Sequence, residues 1–526
     1  MNKIIVLART SDNTWPDRAW WILILIFAAL MRFYRADWAA LWYDEAFSVV
    51  MSTHSPAKAV SIAATDVHPP LYYLVLKTWI SMFGSELYAL RALSACAGVI
   101  AVGLGVWLTR QVATRRAAVF AGILLAMLPV AIRYSHEVRM YALLSVWMTG
   151  ATIALVYWVK RPDRHRYLVI YAVLIAAGLY THYFAILGIM SHWLYVLCIR
   201  QPLDTGRPRR IFYPQWWVAN TVAGLLFVPW LPVLMAQLSN ASSLGWIQPV
   251  TLRSLPSTLW QYLILNNGTE LTAFVYWGLM PLILALCVYC MVHDKQPQRF
   301  SWLLVIYLWA PLLVMFIVSL HFPLFIARYF TFSALSLPIL LGVGLDRLMR
   351  NHRWLTGLIF VAFLGTESVG IYNLYGAQDN SNDDNRPRQE RINVLTSVIN
   401  EHFQPNDQII VLNYFWYSSV AYYNTHPVLP VLYAPVVADG MKCRIYCRFK
   451  APYDVQNEAI YLARLNALPA RTHRVWLVDG ATDSDVALVI PCNWLLQDLW
   501  VAGDNRLRLY RIQAGQVSNA KACPAT

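Results

Sequence analysis

Long apolar runs recur between residues 19 and 373, and they constrain the fold more than any other feature of the sequence. A run of about 20 apolar residues is the length of an α-helix that crosses a bilayer. We count about eleven such runs. They lie near residues 19–34, 86–109, 117–133, 138–159, 167–184, 185–199, 211–235, 271–292, 300–320, 328–346 and 354–373. The sequence therefore predicts a polytopic α-helical membrane protein with about eleven transmembrane helices.

The distribution of charge predicts how these helices are oriented. The chain has a formal net charge of +14, and all of the excess lies in residues 1–376. The short loops on the N-terminal side of the membrane carry more than twice as many Lys and Arg residues as those on the opposite side. Cytoplasmic loops carry such an excess, so we expect a cytoplasmic N-terminus and an outward-facing C-terminal region. The basic charge therefore indicates membrane topology, and we expect no nucleic-acid partner.

The two ends of the chain differ from the apolar middle. No cleavable signal pattern precedes the first run, so we expect residues 19–34 to be an uncleaved anchor. After the last run, residues 377–391 are a polar linker, and the segments DQIIVLN, VLPVLYAP, HRVWLVDG and NWLLQDLW beyond it read as buried strands. Helices are expected near Ile392–His402 and residues 457–467. The prediction is a membrane domain over residues 1–375 and a small extracytoplasmic α/β domain over 376–526, which has no phosphate-binding Gly-rich loop and therefore no assigned nucleotide.

The cysteines divide equally between the two regions. Four lie in the apolar runs and four in the outer domain: Cys96, Cys198, Cys287 and Cys290, and Cys443, Cys447, Cys492 and Cys523. An even number in an oxidising compartment predicts at least one disulfide in the outer domain, with Cys443–Cys447 the most local pairing. A metal clip is the alternative for these two residues, but no second Cys or His pair accompanies them.

The scarce ionisable residues of the membrane part gather at its predicted outer boundary. Many of them fall in residues 41–74, just after the first apolar run. The set comprises Asp44, Glu45, Asp66, His68, Arg133, His136, Glu137, Arg139, His321 and Arg328. Ionisable groups beside a bilayer are costly, so they mark a candidate functional site. Their position at one boundary suits a reaction between a molecule in the outer leaflet and one in the outer compartment.

Each of these residues also has a purely structural interpretation. Asp44 and Asp66 could cap interfacial helices, the second with Pro69 in the first turn. His136, Glu137 and Arg139 could form a local ion pair where a helix begins, and Arg328 with Tyr329 could anchor a helix end at the lipid headgroups. Independent caps and anchors would not need to gather on one face, so the functional interpretation is favoured for the set as a whole.

Several motifs resemble one family of membrane enzymes. The Asp44–Glu45 pair after the first span is followed by DVHPPLYY, by Arg91 in LYALRALSACAG, by YSHEVRMYALL and by ARYF. Over roughly residues 15–375 this pattern resembles the GT-C membrane glycosyltransferases. By motif, the nearest relatives are the protein O-mannosyltransferases, the lipid A aminoarabinose transferases and the Rgt-type bacterial sugar transferases.

The resemblance implies an inverting transfer of a sugar from a polyprenyl-phosphate donor to an envelope acceptor, which would be a glycan, a lipid such as lipid A, or a protein. It implies a multi-pass protein of the inner membrane that works on the outer face. Asp44 resembles the catalytic acidic residue of the family, the general base that takes the proton of an acceptor hydroxyl. Glu45 would orient the acceptor or Asp44.

The leaving phosphate gains negative charge as the glycosidic bond breaks, so nearby cations lower the barrier. Arg91, Arg139 and Arg328 are the candidates, because a guanidinium can bind phosphate in a bidentate manner. The further candidate substrate-binding residues are Asp66, His68, His136, Glu137 and Tyr329. The relatives carry an Arg two residues after the acidic pair, whereas this sequence has Phe47.

A divalent metal is a competing use of Asp44, Asp66, His68 and His136, because carboxylates and imidazoles are both metal ligands. Their spacing matches no recognisable ligand motif, and arginines could neutralise a phosphate alone. We therefore expect no metal and no other cofactor.

Two other functions share the many spans. A transporter or flippase for a lipid-linked substrate would carry charges along a path through the membrane. An outer-face polymerase or ligase would use a diphosphate carrier. The interior charges are few, and the acidic-pair and HPP motifs favour the glycosyltransferase.

Overall fold

The computed structural model describes residues 15–199, 209–239, 247–376, 391–433, 461–462, 464–480 and 490–513. The α-helices of the membrane part are α1 (Trp15–Phe33), α2 (Tyr43–Thr53), α3 (Pro56–Ala63), α4 (Leu71–Phe83), α5 (Leu87–Val112), α6 (Arg115–Met127), α7 (Pro129–Arg133), α8 (Tyr141–Lys160), α9 (Arg166–Thr181), α10 (Ala185–Cys198), α11 (Pro214–Phe227), α12 (Leu231–Ser239), α13 (Ser254–Ile264), α14 (Ala273–Val292), α15 (Phe300–Ser319), α16 (Thr331–Ala334), α17 (Ser336–Leu348) and α18 (Arg353–Tyr375). Short 3₁₀ helices lie at Arg210–Phe212, Val228–Trp230 and Ala327–Phe330.

The membrane part is a multi-span helical bundle, as the apolar runs predicted. Within the described residues, seven helices are long and apolar enough to cross a bilayer: Leu87–Val112, Tyr141–Lys160, Pro214–Ser239, Ala273–Val292, Phe300–Ser319, Ala327–Leu348 and Arg353–Tyr375. Shorter apolar helices occupy Ala19–Phe33, Leu71–Phe83, Arg166–Thr181 and Ala185–Cys198. Every predicted run thus coincides with helix, while the number of crossings and their orientation stay predictions.

One predicted span is broken, and the break matters for the site. The run at 117–133 forms α6 and α7, which are separated at Leu128, whose backbone is non-helical (φ −54°, ψ 109°). Pro129 explains the break, because the residue before a proline is disfavoured in the α conformation. The loop 134–140 follows α7 and carries His136, Glu137 and Arg139.

A glycine lets this loop pack closely against the bundle. A Cβ atom on Gly98 of α5 would come within 2.1 Å of the Ser135 hydroxyl oxygen and 2.9 Å of Arg32 Nε. No larger side chain could occupy that position without moving one of them.

In the residues that the structure describes, the C-terminal domain contains two helices and a mixed six-stranded sheet. Its elements are α19 (Ile392–His402), β1 (Gln408–Val411), α20 (Tyr414–Tyr423), β2 (Val431–Tyr433), β3 (Tyr461–Leu462), β4 (Arg474–Gly480), β5 (Trp494–Ala502) and β6 (Asn505–Ile512). The strand order is β3-β2-β1-β4-β6-β5. Strands β3, β2, β1 and β4 are parallel, whereas β6 pairs antiparallel with both β4 and β5. The prediction of a small α/β domain agrees with this architecture.

Three local predictions in this domain were wrong or incomplete. The helix expected over 457–467 is not present in its described part, where Tyr461–Leu462 is a strand and Leu465–Ala467 a 3₁₀ turn. The segment NWLLQDLW is an edge strand, not a buried one, with Leu496 54% exposed. Helix α20 was not predicted, although Asn413 before it is a helix-capping residue whose side chain accepts a hydrogen bond from the Phe415 amide at 2.9 Å.

Cys492 is disulfide-bonded, in agreement with the prediction of at least one disulfide in the outer domain. The proposed Cys443–Cys447 pair lies outside the described residues. The membrane cysteines Cys96, Cys198, Cys287 and Cys290 are free thiols.

Candidate functional site

The predicted site residues come from five separate segments that meet at one end of the bundle. The first turn of α2 carries Asp44 and Glu45, and the turn between α3 and α4 carries Asp66 and His68. Arg91 belongs to α5. The loop 134–140 supplies His136, Glu137 and Arg139, and the turn Ala327–Phe330 supplies Arg328 and Tyr329.

Asp44 lies between two arginines and remains partly exposed. Its Oδ2 atom is 3.6 Å from Arg139 Nη2 and 3.8 Å from Arg328 Nη1, and the Asp44 side chain is 22% exposed. These separations are longer than a good charged hydrogen bond, so the arginines can turn toward another anion at small cost. Arg139 is also held by the Asp44 carbonyl at 3.2 Å and the Ser48 hydroxyl at 3.4 Å.

The Glu45 side chain points in a different direction from that of Asp44 and is buried. Arg91 forms a bidentate ion pair with Glu45, with Arg91 Nε 2.9 Å from Oε1 and Nη2 2.7 Å from Oε2. The Val138 amide donates a third hydrogen bond to Oε1 at 2.8 Å. Glu45 therefore ties α2 to α5 and to the loop 134–140.

The structure corrects the role assigned to Arg91. The remaining N–H groups of Arg91 donate to the carbonyls of Ala36 at 2.9 Å, Ala39 at 2.8 Å and Ala40 at 3.2 Å. All of its donors are thus used, and Arg91 has none left for a donor phosphate. Glu45 is 1% exposed, and Arg91 and the Val138 amide already bind its carboxylate, so it can orient Asp44 by fixing the start of α2.

His68 connects Asp66 to the arginine side of the site. Its Nδ1 is 3.2 Å from Asp66 Oδ2, and its Nε2 is 3.4 Å from Arg139 Nη2. Arginine can only donate, so Nε2 accepts and Nδ1–H donates to Asp66, which defines the tautomer of His68. Burial raises the pKa of Asp66, but the hydrogen bond from His68, with smaller contributions from the Val67 amide and Arg139, lowers it overall.

His136 and Glu137 line a cavity on the Glu45 side of α2. Its other lining residues include Trp38, Trp42, Arg133 and Leu374. Glu137 Oε1 pairs with Arg133 Nη1 at 2.5 Å. Within the described part of the chain, Glu137 Oε2 and His136 Nε2 are buried without a hydrogen-bond partner. Buried polar atoms are normally satisfied, so these two atoms are suited to a hydroxyl group or a water molecule.

The same burial shifts the protonation of both residues. Burial, with Arg91 and Arg133 nearby, lowers the pKa of His136 to about 3. Burial raises the pKa of Glu137 in spite of Arg133. His136 is therefore neutral at physiological pH, and the cavity lies between a neutral imidazole and an acid paired with one arginine.

Tyr329 lies at the edge of the site beside a histidine that the sequence analysis did not select. The rings of His182 and Tyr329 are 5.2 Å apart, and those of His182 and His68 are 5.7 Å apart. Burial lowers the pKa of His182 well below its ordinary value. The sequence feature that could have identified His182 is its position at the tight junction between α9 and α10.

The simple capping interpretations were wrong. Trp42 occupies the N-cap position of α2 and Pro70 that of α4, so neither Asp44 nor Asp66 caps a helix. In the regions that the structure describes, no three His, Cys, Asp or Glu side chains form a group that could hold a metal ion. Metal independence stays a prediction.

Comparisons with known proteins agree with the geometry. The family model for dolichyl-phosphate-mannose-protein mannosyltransferase matches residues 67–233, which begin beside His68 and include the loop 134–140. Apo ArnT from Cupriavidus metallidurans superposes with a TM-score of 0.59 at 14% identity, covering 94% of this chain and 98% of ArnT. The same protein bound to undecaprenyl phosphate gives 0.58 at 16% identity with the same coverage. No curated protein matches the sequence. The chain thus has the ArnT fold over nearly its whole length.

Proposed function

We propose that this chain is a GT-C membrane glycosyltransferase that moves a sugar from a polyprenyl-phosphate donor to a hydroxyl group of an envelope glycan, lipid or protein. The observation that carries the proposal is the position of Asp44, a partly exposed carboxylate within 4 Å of both Arg139 and Arg328. One place thus offers a base for a hydroxyl and two cations for a phosphate. The ArnT structure with undecaprenyl phosphate supports a lipid-phosphate donor for a chain of this fold.

In the proposed reaction, Asp44 takes the proton of the acceptor hydroxyl while its oxygen attacks the anomeric carbon of the donor. The bond from that carbon to the phosphate oxygen breaks, and the phosphate leaves with the electron pair. A single displacement of this kind inverts the anomeric configuration. Arg139 and Arg328 stabilise the charge that develops on the phosphate, so the reaction as proposed needs no metal.

Other residues have supporting roles in this scheme. His68, held by Asp66, lies beside Arg139 and contributes to the phosphate end of the site. His136 and Glu137 offer their unpartnered atoms to sugar or acceptor hydroxyls in the cavity, and Tyr329 borders the site. Glu45 and Arg91 act indirectly, because they fix the helix that carries Asp44.

The proposed location is the outer face of the inner membrane, with the N-terminus in the cytoplasm and the C-terminal domain outside. The loop charges support this orientation. Labelling of single cysteines introduced at Asp37 and Arg353 with a membrane-impermeant reagent tests it, because only the first should react in intact spheroplasts. The reverse labelling pattern would invert the assignment.

The decisive experiment uses purified protein with polyprenyl-phosphate sugars and with nucleotide sugars, and mass spectrometry of the products. We expect transfer from the lipid donor, release of polyprenyl monophosphate and an inverted anomeric centre. Efficient transfer from a nucleotide sugar with the lipid donor inert would overturn the proposal. Release of a diphosphate carrier would instead favour the polymerase or ligase alternative, and the flippase alternative finds no support in the matched family.

A further inference from the structure

Residues 36–41, which precede α2, are hydrogen-bonded from two sides. From one side, Arg91 donates to the carbonyls of residues 36, 39 and 40. From the other, α20 of the C-terminal domain binds both backbone groups of Leu41. The Leu41 amide donates to the Tyr423 hydroxyl oxygen at 2.9 Å, and the Leu41 carbonyl accepts from the Ser419 hydroxyl at 3.1 Å.

Packing reinforces this contact between the two domains. Tyr423 packs against the hydrophobic core of the membrane bundle and also against a core of the C-terminal sheet. Tyr43, the first residue of α2, packs against that sheet core as well, and its ring meets the edge of the Phe415 ring at 5.0 Å. Helix α20 therefore contacts α2 at the turn that carries Asp44.

We propose that the C-terminal domain is a positioning element of the catalytic site, which acts through Ser419 and Tyr423 on Leu41. The inference rests on the proposed function for the meaning of Asp44 and goes beyond it in giving the outer domain a role in turnover. Ser419 and Tyr423 are positioning residues, because they contact the backbone before α2 and not the reacting atoms.

The position of Leu41 explains why so small a contact would matter. Leu41 immediately precedes Trp42, the N-cap of α2, and is only 1% exposed. If its partners are removed, a buried amide and a buried carbonyl lose their hydrogen bonds, and the segment must shift to reach water. Catalysis is sensitive to such shifts, since a displacement of about 1 Å can cost about 100-fold in rate.

The chain offers a matched control on the same helix. Tyr422 also reaches into the membrane domain, but its hydroxyl donates to the carbonyl of Ser85, between α4 and α5, at 2.8 Å. Tyr422→Phe therefore removes the same kind of interdomain hydrogen bond without touching the entry to α2. Ser419→Thr retains a hydroxyl and serves as the conservative variant.

The test compares the double variant Ser419→Ala/Tyr423→Phe with Tyr422→Phe in full-length protein that elutes as a folded species. With a polyprenyl-phosphate sugar as the probe, we expect kcat of the double variant to fall about 10-fold and KM for the lipid donor to change less than about twofold. Tyr422→Phe and Ser419→Thr should remain close to wild type. Equal kcat values for the double variant and Tyr422→Phe would overturn the inference.

Hydrogen–deuterium exchange gives a readout that does not depend on the donor. Amides of residues 41–46 should exchange at least about 5-fold faster in the double variant, and the exchange in Tyr422→Phe should stay unchanged there. If wild-type protein were inactive with every lipid donor, the proposed function would fail, but the exchange result would still decide the positioning role. Unchanged exchange at 41–46 would overturn it.

Discussion

The region around Asp44 and the region around Glu45 use the same chemistry, a carboxylate facing guanidinium groups, at different distances and burial. Around Glu45 the pair is bidentate at 2.7 and 2.9 Å, and both side chains are at most 3% exposed. Around Asp44 the carboxylate lies 3.6 Å from Arg139 Nη2 and 3.8 Å from Arg328 Nη1, and it is 22% exposed. A buried, bidentate ion pair stabilises the fold. A longer ion pair with a partly exposed carboxylate can exchange that partner for a substrate.

The largest expected difference between the two regions is in stability. Arg91→Leu leaves the buried Glu45 without its partner, so the free energy of unfolding should fall by about 3 to 5 kcal/mol. Arg139→Leu is the matched control, because its partner Asp44 can reach solvent. Thermal unfolding in detergent should separate the two variants clearly. A similar loss in both would mean that the Asp44 region is structural too.

Asp44→Asn should give the largest catalytic loss. The substitution keeps the shape of the side chain but removes the base, so transfer should fall by about 100-fold or more. Rates with a polyprenyl-phosphate sugar measure the effect, and an unchanged melting temperature shows that folding is intact. Normal turnover by folded Asp44→Asn protein would remove this residue from the catalytic role.

Arg139→Ala and Arg328→Ala should each cost less than the loss of the base. One charge-assisted phosphate contact is worth roughly 2 kcal/mol in the transition state, or about 30-fold in rate. Arg110→Ala, at the far end of α5, is a control with the same change of charge. Should both site variants retain wild-type kcat/KM, the phosphate would have to bind elsewhere.

A further expected effect is on pH dependence and concerns the cavity beside Glu45. The pKa of His136 is about 3 in the folded protein against an ordinary value of 6.5. Protonation therefore favours the unfolded chain, and the stability present above pH 6.5 is lost as the pH falls toward 3. His136→Gln should flatten the fall in melting temperature between pH 7 and pH 4. An identical pH profile for both proteins would show that His136 does not carry this sensitivity.

Hydropathy alone located the apolar helices, because the bilayer imposes one length and one polarity on every crossing. It could not separate Asp44 from Glu45. Successive residues on a helix point in directions about 100° apart, and the partner that decides the role of Glu45 is Arg91, far along the chain. The motif resemblance selected residues that lie close together in the fold, but a motif does not show which donors of Arg91 are already used.

The errors in the C-terminal domain have a similar cause. The sequence of α20, YFWYSSVAYY, is apolar on all sides and lacks the periodicity of an amphipathic helix. It packs between two domains, and this tertiary packing stabilises the helix. The local sequence pattern gives no information about such packing. NWLLQDLW read as a buried strand because of its leucines, yet it lies at the sheet edge.

The hydrogen bond between the Leu41 amide and the Tyr423 hydroxyl joins residues that are 382 positions apart. At a synthesis rate of about 5 to 20 residues per second, the second partner follows the first by roughly 20 to 75 seconds. The helix bearing Asp44 is thus synthesised before most of the bundle, but the segment before it gains these partners only after the C-terminal domain has been made. A nascent or prematurely terminated chain would carry Asp44 without the contact that we propose positions it. Under that proposal, maturation of the candidate site is coupled to completion of the polypeptide.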